Sequence, residues 1–164
     1  MDRINLYIAQ NNYLMNEGYK AVFKHSEVVN YVGYSVDSEA FRLDLNKLDV
    51  DVVLMDYAST GFNFSDALYV IENFTHISLI GITHDCNVQA INKLIQSGIS
   101  GHLLSDCDRE EIEQSVSACY NREKFFCGKL IAMMRKQSDP MSAFYFCALR
   151  QIVQPVRPLR LGHV

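Results

Sequence analysis

The chain has 164 residues, 49% of them hydrophobic and 21% charged, a composition typical of one globular domain with an appendage and not of a disordered protein. Its net charge of −4 argues against a nucleic-acid surface spread over the whole domain. No apolar run approaches the ~20 residues of a membrane span, and the first residues do not begin a signal peptide. Five scattered cysteines without a Cys-x-x-Cys pair indicate reduced thiols in a cytoplasmic protein, not a metal cluster.

Apolar runs typical of buried strands alternate with helical patterns, which predicts a parallel sheet covered on both faces. Asn11 and Asn12 are candidate caps of the first helix, and Gly98 is placed to end the fourth in a left-handed turn. The predicted strands cover 4–9, 31–36, 51–55, 77–83 and 100–104, and the predicted helices 12–25, 38–47, 65–74, 86–97 and 108–121. The side chains of the first helix expected to face inward are Leu14, Gly18, Tyr19, Val22 and Phe23.

Strand–helix units of this length predict an α/β fold of the flavodoxin-like, doubly wound type. The right-handed crossover rule favours a five-stranded parallel sheet with the order 2-1-3-4-5 and helices on both faces. In such a sheet the carboxyl ends of the strands open onto one crevice, where ligands of doubly wound proteins bind.

The composition shifts near the carboxyl terminus, because all three prolines lie in the last 25 residues. We therefore divide the chain into a domain over 1–126, a connector helix over 127–139 and a tail over 140–164 without a recognisable domain. Within the tail, residues 143–153 are apolar enough to pack, so we expect them to dock on the domain or on a partner molecule, with the arginine-containing end mobile.

Polar side chains follow four of the predicted strands. Gln10 and Asn11 follow the first, Asp56 the third, Thr83 the fourth and Ser105 the fifth. A carboxylate at Asp56 could accept a phosphoryl group only with a metal ion and a cation to neutralise charge. Amides carry no charge for Mg²⁺, which usually binds through one or two carboxylates. We therefore predict no metal site here beyond weak binding of Mg²⁺ at Asp56.

Three segments give the chain a recognisable pattern. They are Val52–Asp56, Ile82–Asp85 and Ser97–Asp106, the last reading Ser-Gly-Ile-Ser-Gly-His-Leu-Leu-Ser-Asp. This pattern resembles the receiver domain of NarL/LuxR-type two-component response regulators, which commonly have Ala-Gly-Ala-x-Gly-Tyr-Leu-Leu-Lys-Asp in the last segment. The resemblance runs without an obvious gap from Ile4 to about Phe126.

The resemblance implies a role for each site position. Asp56 matches the aspartate that accepts phosphate from a histidine kinase, whereas Gln10 and Asn11 occupy the positions of the acidic pair that holds Mg²⁺. Thr83 and Ser105 match the threonine and lysine that bind the phosphoryl group. A further position, the aromatic switch on the fifth strand, is His102. Because the departures fall on the groups that recruit metal and neutralise charge, the resemblance predicts a pseudo-receiver.

The favoured function is non-enzymatic and needs no cofactor. We expect an atypical response-regulator receiver that acts in signal transduction and transcriptional regulation through phosphorylation-independent contact with a protein partner or a second copy. The resemblance places that contact on the face of the fourth helix, fifth strand and fifth helix, and implies DNA binding only through a domain not present in this chain. We expect His84 and His102 at the surface or an interface, and no membrane contact.

Two alternatives come from other classes. In the first, Asp56 is a working phosphoacceptor that takes phosphate from a histidine kinase with Mg²⁺ as cofactor. In the second, the crevice binds a flavodoxin-type cofactor, which is disfavoured because the turn after the first strand lacks a Gly- or hydroxyl-rich phosphate loop. A haloacid-type hydrolase would have a second aspartate where the chain has Ala58.

Overall fold

The computed structural model describes residues 3–136, so the predicted tail lies outside the described residues. Strands and helices alternate along this range. The strands are β1 (Ile4–Ala9), β2 (Val29–Ser35), β3 (Val52–Met55), β4 (Ser78–Thr83), β5 (Gly101–Leu104) and β6 (Phe125–Phe126). The helices are α1 (Tyr13–Phe23), α2 (Ser38–Leu45), α3 (Phe64–Asn73), α4 (Val88–Ser97), α5 (Arg109–Tyr120) and α6 (Gly128–Lys136).

The strands form one parallel sheet with the order β2-β1-β3-β4-β5-β6. The predicted doubly wound fold and the order of its first five strands are therefore confirmed. Every residue of β3, β4 and β5 is buried, because helices cover both faces of a parallel sheet. No helix within residues 3–136 has the length and apolar character needed to cross a membrane.

The prediction of five strands is wrong by one, since β6 extends the sheet beyond β5. The amide of Phe125 donates to the carbonyl of Ser100 at 3.1 Å, and the amide of Cys127 donates to that of His102 at 3.2 Å. Gly101 permits this approach, because a Cβ at that position would lie 2.6 Å from the carbonyl oxygen of Phe125. A strand of only two residues is too short to show a periodic pattern in the sequence.

Helix α6 packs against the domain instead of projecting from it. It buries Leu130 and Met134, and the Nζ of Lys129 lies 2.8 Å from the carboxylate of Asp106. The first part of the predicted connector is thus folded against β5 and the turn that follows it.

The prediction for the inward face of α1 needs two corrections. Tyr19 and Phe23 are buried, as expected, but 77% of the Leu14 surface is exposed, and Gly18 is exposed as well. The third buried residue is Asn16, which shares a helix face with Tyr19 and Phe23, whereas Leu14 points the opposite way. The polar side chain of Asn16 is tolerated there because its Nδ2 donates to the carbonyl of Gln10 at 2.7 Å. At the end of α4, Gly98 has φ 102°, so the predicted left-handed cap is confirmed.

We predict that Gly101→Ala will detach β6. The added methyl group would collide with the Phe125 carbonyl and approach the sulfur of Cys119 at 3.0 Å. The free energy of unfolding in urea should fall by about 1–3 kcal/mol, and the Cys127 amide should exchange its hydrogen faster. Gly128→Ala is the matched control, because nothing lies within 4 Å of its added methyl group. Equal stability of the two variants would show that β6 does not depend on Gly101.

Candidate functional site

Backbone hydrogen bonds continue past the ends of the strands and hold the predicted site residues at one edge of the sheet. The amide of Asp56 donates to the carbonyl of Ala9 at 2.9 Å, and the amide of Ser105 donates to that of Thr83 at 3.0 Å. On the other side of β1, the amide of Gln10 donates to the carbonyl of Ser35 at 3.1 Å. The strand ends therefore meet at one edge of the sheet, as expected from the topology.

The carboxylate of Asp56 is held by amide groups. Its Oδ2 accepts from the Nε2 of Gln10 at 3.1 Å, and its Oδ1 accepts from the backbone amide of Ala58 at 3.1 Å. Gln10 is only 4% exposed, and its Oε1 accepts from the backbone amide of Asn12 at 3.0 Å. The Gln10 side chain is thus fixed at both ends, with its Nε2 directed at the Asp56 carboxylate.

Asn11 does not join Gln10 at the carboxylate. Its Nδ2 donates to the carbonyl of Val36 at 3.0 Å, and its Oδ1 accepts from the hydroxyl of Thr60 at 3.0 Å. The cap of α1 is Asn12, whose Oδ1 accepts from the amide of Met15 at 3.2 Å. Of the two predicted caps only Asn12 therefore serves as one, while Asn11 joins the loops around the crevice.

The two hydroxyl groups of the site contact the loop that follows β4. The buried Thr83 donates from Oγ1 to the carbonyl of Asp85 at 2.8 Å, and the Oγ of Ser105 lies 3.1 Å from the Nδ1 of His84. Over residues 3–136, no group of three or more histidines, cysteines, aspartates or glutamates is placed to hold a metal ion. The polar side chains at these strand ends thus contact one another and the neighbouring backbone.

The loop after β3 is also tied to β5 through a buried pair that the sequence did not reveal. The hydroxyl of Tyr57 lies 2.8 Å from the Nε2 of His102, and the two rings meet edge to face with centroids 5.7 Å apart. The expectation of a surface or interface position for His102 is wrong, since its side chain is completely buried. His84, in contrast, is exposed.

Gly81 makes room for this pair. A Cβ at that position would lie 2.6 Å from the Cδ2 of His102 and 3.0 Å from the Cε1 of Tyr57. A glycine inside an otherwise aliphatic strand is a recognised sign of a close approach, so Gly81 was the available signal for a ring packed over β4. The sequence did not indicate which ring it was.

Burial sets the charge of the pair. It lowers the pKa of His102 from 6.5 to about 4, so the imidazole is neutral at pH 7. Burial likewise raises the pKa of the Tyr57 hydroxyl well above its ordinary value. The contact between Tyr57 and His102 is therefore a hydrogen bond between two neutral, buried groups, which is strong when made and costly to break.

Comparison with known proteins gives the site its context. No family model matches the chain. Over 142 residues it is 25% identical to the transcriptional regulatory protein RcsB of Salmonella typhi, covering 84% of this chain and 66% of RcsB. Over 146 residues it is 27% identical to the nitrate/nitrite response regulator protein NarP of Escherichia coli K12, covering 82% of this chain and 66% of NarP. The chain is homologous to the NarL/LuxR-type response regulators.

Solved structures show the same fold. The isolated receiver domain of RcsB from Salmonella enterica serovar Typhimurium, in the presence of the phosphomimetic BeF₃⁻, superposes with a TM-score of 0.73 at 23% identity, covering 81% of this chain and 99% of that one. The non-phosphorylated receiver domain of RcsB from Escherichia coli superposes with a TM-score of 0.69 at 24% identity, covering 77% of this chain and 99% of that one. The receiver fold is thereby confirmed. The chain spans just under two thirds of the length of the curated relatives it matches.

We predict a loss of stability in mild acid that depends on His102. In the unfolded chain the imidazole takes up a proton below pH 6.5, whereas in the folded chain it does so only near pH 4. The contribution of the neutral imidazole to the free energy of unfolding is therefore complete above pH 6.5, and it is lost as the pH falls from 6.5 towards 4. The full change is on the order of 3 kcal/mol.

The measurement is urea unfolding at constant ionic strength between pH 7.5 and 4.5, on the wild type and on His102→Gln. Glutamine keeps a polar partner for Tyr57 but does not titrate, so the carboxylates that protonate in this range affect both proteins alike. Parallel stability curves for the two proteins would contradict the assignment of a buried neutral histidine.

Proposed function

We propose that this chain is a degenerate receiver that acts in two-component signalling and transcriptional regulation, in the cytoplasm, through protein contacts that do not require phosphorylation. The observation that supports this best is the Asp56 carboxylate, which accepts from the Gln10 amide at 3.1 Å in place of sharing a metal ion with neighbouring carboxylates.

The physical reason is the charge that phosphoryl transfer must neutralise. Catalysis of this reaction consists almost entirely of positioning and electrostatic stabilisation, for which Mg²⁺ and a cationic side chain are the usual means. Here the flanking groups are the neutral side chains of Gln10, Thr83 and Ser105, and the two hydroxyls already contact groups of the loop that follows β4. To bind at Asp56, a metal ion would have to displace the Gln10 amide from the carboxylate, and it would gain only that one carboxylate as a ligand.

The buried Tyr57–His102 pair supports the same proposal. Tyr57 follows Asp56 directly, and its hydroxyl holds the His102 ring on β5. A group added to Asp56 can shift a two-state equilibrium only if it contacts the two states differently. With the ring held by Tyr57 and packed over Gly81, a second position of His102 would require a buried hydrogen bond to break. We therefore propose that the surface above β5 has one arrangement regardless of the state of Asp56.

The contact surface we propose is the face of α4, β5 and α5. On α4 the side chains of Ile91 and Leu94 are buried, while Asn87, Gln89 and Lys93 are exposed. Strand β6 covers the outer edge of β5, so the side chains available for contact on this face come mainly from α4 and α5. Weakly charged polar surface of this kind is compatible with a protein interface.

Self-association is the form of contact that the relatives support. One structure of RcsB contains two dimers bound to two parallel DNAs. We propose a dimer for this chain through the face defined above.

A second candidate function keeps Asp56 as a working phosphoacceptor. It is favoured by one observation: the receiver domain of RcsB, similar in fold, was solved with the phosphomimetic BeF₃⁻. In this case a histidine kinase is the partner, Mg²⁺ is the cofactor, and the Gln10 amide must move aside.

Titration with Mg²⁺ distinguishes the two candidates. By calorimetry we expect no Mg²⁺ site tighter than millimolar, because Asp56 alone supplies a carboxylate. The combined variant Gln10→Asp, Asn11→Asp and Ser105→Lys should gain Mg²⁺ binding and Mg²⁺-dependent uptake of beryllofluoride. Adding Asp56→Asn to that variant should abolish the uptake of beryllofluoride, which needs the Asp56 carboxylate as its acceptor. A micromolar Mg²⁺ site in the wild type, lost in Asp56→Asn, would establish the phosphoacceptor instead.

Association should not depend on Asp56. Sedimentation of the wild type and of Asp56→Ala should give the same association constant, because the surface above β5 is held by Tyr57 and His102. Tyr57→Phe, which removes only the hydroxyl, should loosen that surface and weaken association. A change of more than about tenfold in Asp56→Ala, equivalent to ~1.4 kcal/mol, would show that the carboxylate still communicates with the interface.

A further inference from the structure

A groove of about 660 Å³ runs beside α5, β6 and α6, away from the Asp56 crevice. Its apolar lining includes Val28, Phe125, Cys127 and Ile131. Val28 is 54% exposed, and Phe125 and Ile131 are half-buried. We propose that this groove is the docking site of residues 143–153 of the same chain.

The position of α6 brings the proposed occupant to the groove. Ile131 lines the groove near the middle of α6, and the described chain leaves α6 at Lys136, about 8 Å further along the helix axis. Residues 137–142 can span up to about 20 Å when extended. The apolar segment that follows can therefore return to the groove without displacing any described element.

The chemistry of the segment matches that of the groove. Residues 143–149 read Ala-Phe-Tyr-Phe-Cys-Ala-Leu, and Ile152 and Val153 follow. Burying such side chains against exposed apolar surface contributes roughly 25 cal/mol for each Å² removed from water. Apolar side chains at both surfaces would otherwise remain in contact with water.

The charges are also complementary. Glu111, Glu113 and Glu123 lie along the groove, while the chain after Asp139 contains Arg150, Arg157 and Arg160 and no acidic residue. Lys124 lines the groove too.

Lys124 adds one positive charge to this lining, and its Nζ donates to the carbonyls of Gly98 at 3.0 Å and Ile99 at 2.6 Å. Glu113 is paired with Arg109 at 2.9 Å. The lining still has more acidic than basic side chains. Arg150 lies within the proposed segment, and Arg157 and Arg160 can reach the same acidic border.

Paramagnetic labelling of the full chain tests the proposal. A nitroxide is attached to Ser142→Cys in a background of Cys86→Ser and Cys147→Ser, since Cys107, Cys119 and Cys127 are buried. We expect selective broadening of the amide signals of Gln114 and Ile131, and none on α2. Ile131→Glu should remove that broadening, whereas Ala132→Glu, an exposed neighbour outside the groove lining, should leave it unchanged.

Mixing experiments decide whether the occupant belongs to the same molecule. Protein that carries the nitroxide but no ¹⁵N is mixed with ¹⁵N-labelled protein that carries no nitroxide. Broadening in this mixture would show that a second copy fills the groove and would overturn the proposal. In the first experiment, where one chain carries both labels, uniform broadening or no broadening would also overturn it. None of these outcomes affects the function proposed for Asp56. That residue lies at a different edge of the fold, and its function is tested by Mg²⁺ binding.

Discussion

The hydrogen bond from the Gln10 amide to the Asp56 carboxylate is the contact on which the character of this receiver depends. It joins the ends of β1 and β3, and the other end of the same amide accepts from the backbone of Asn12 at the start of α1. A hydrogen bond to a charged acceptor contributes about 1.5–3 kcal/mol. The carboxylate is thus stabilised by the protein itself, at the place where relatives with an acidic pair would need a metal ion to offset repulsion among three carboxylates.

The same loop is anchored a second time, one residue further on. Tyr57 reaches across β4 to His102, and Gly81 supplies the space that this requires. Because the imidazole and the phenol are both neutral and buried, the pair resists rearrangement at neutral pH. Two contacts thus fix this loop: the Gln10 amide holds the Asp56 carboxylate, and the His102 ring holds the Tyr57 hydroxyl.

The edge of the sheet beyond β5 is organised by a different constraint, the absence of a side chain at Gly101. It allows Phe125 to pair with β5, which in turn directs α6 back over the domain and creates the groove between α5 and α6. An exposed strand edge invites pairing with other chains, and β6 closes this one. The groove beside β6 has an apolar lining, is bordered by glutamates and lies close to the point where the described chain ends.

The sequence alone determined the doubly wound sheet, the order of its first five strands and the convergence of Gln10, Asp56, Thr83 and Ser105, because buried parallel strands and crossover handedness follow from local patterns. It also placed Asn12 and Gly98 at helix ends, where the backbone chemistry is local. Tertiary structure alone decided the burial of His102, the exposure of Leu14 and the pairing of β6. Two of these depend on atoms distant in sequence, the Tyr57 hydroxyl beside His102 and the Phe125 carbonyl facing Gly101. The burial of Asn16 on the face opposite Leu14 involves the Gln10 carbonyl, which is six residues earlier and belongs to the turn before the helix. Periodicity reports which side of an element is apolar, but it carries no information about a polar partner or a missing Cβ on another element.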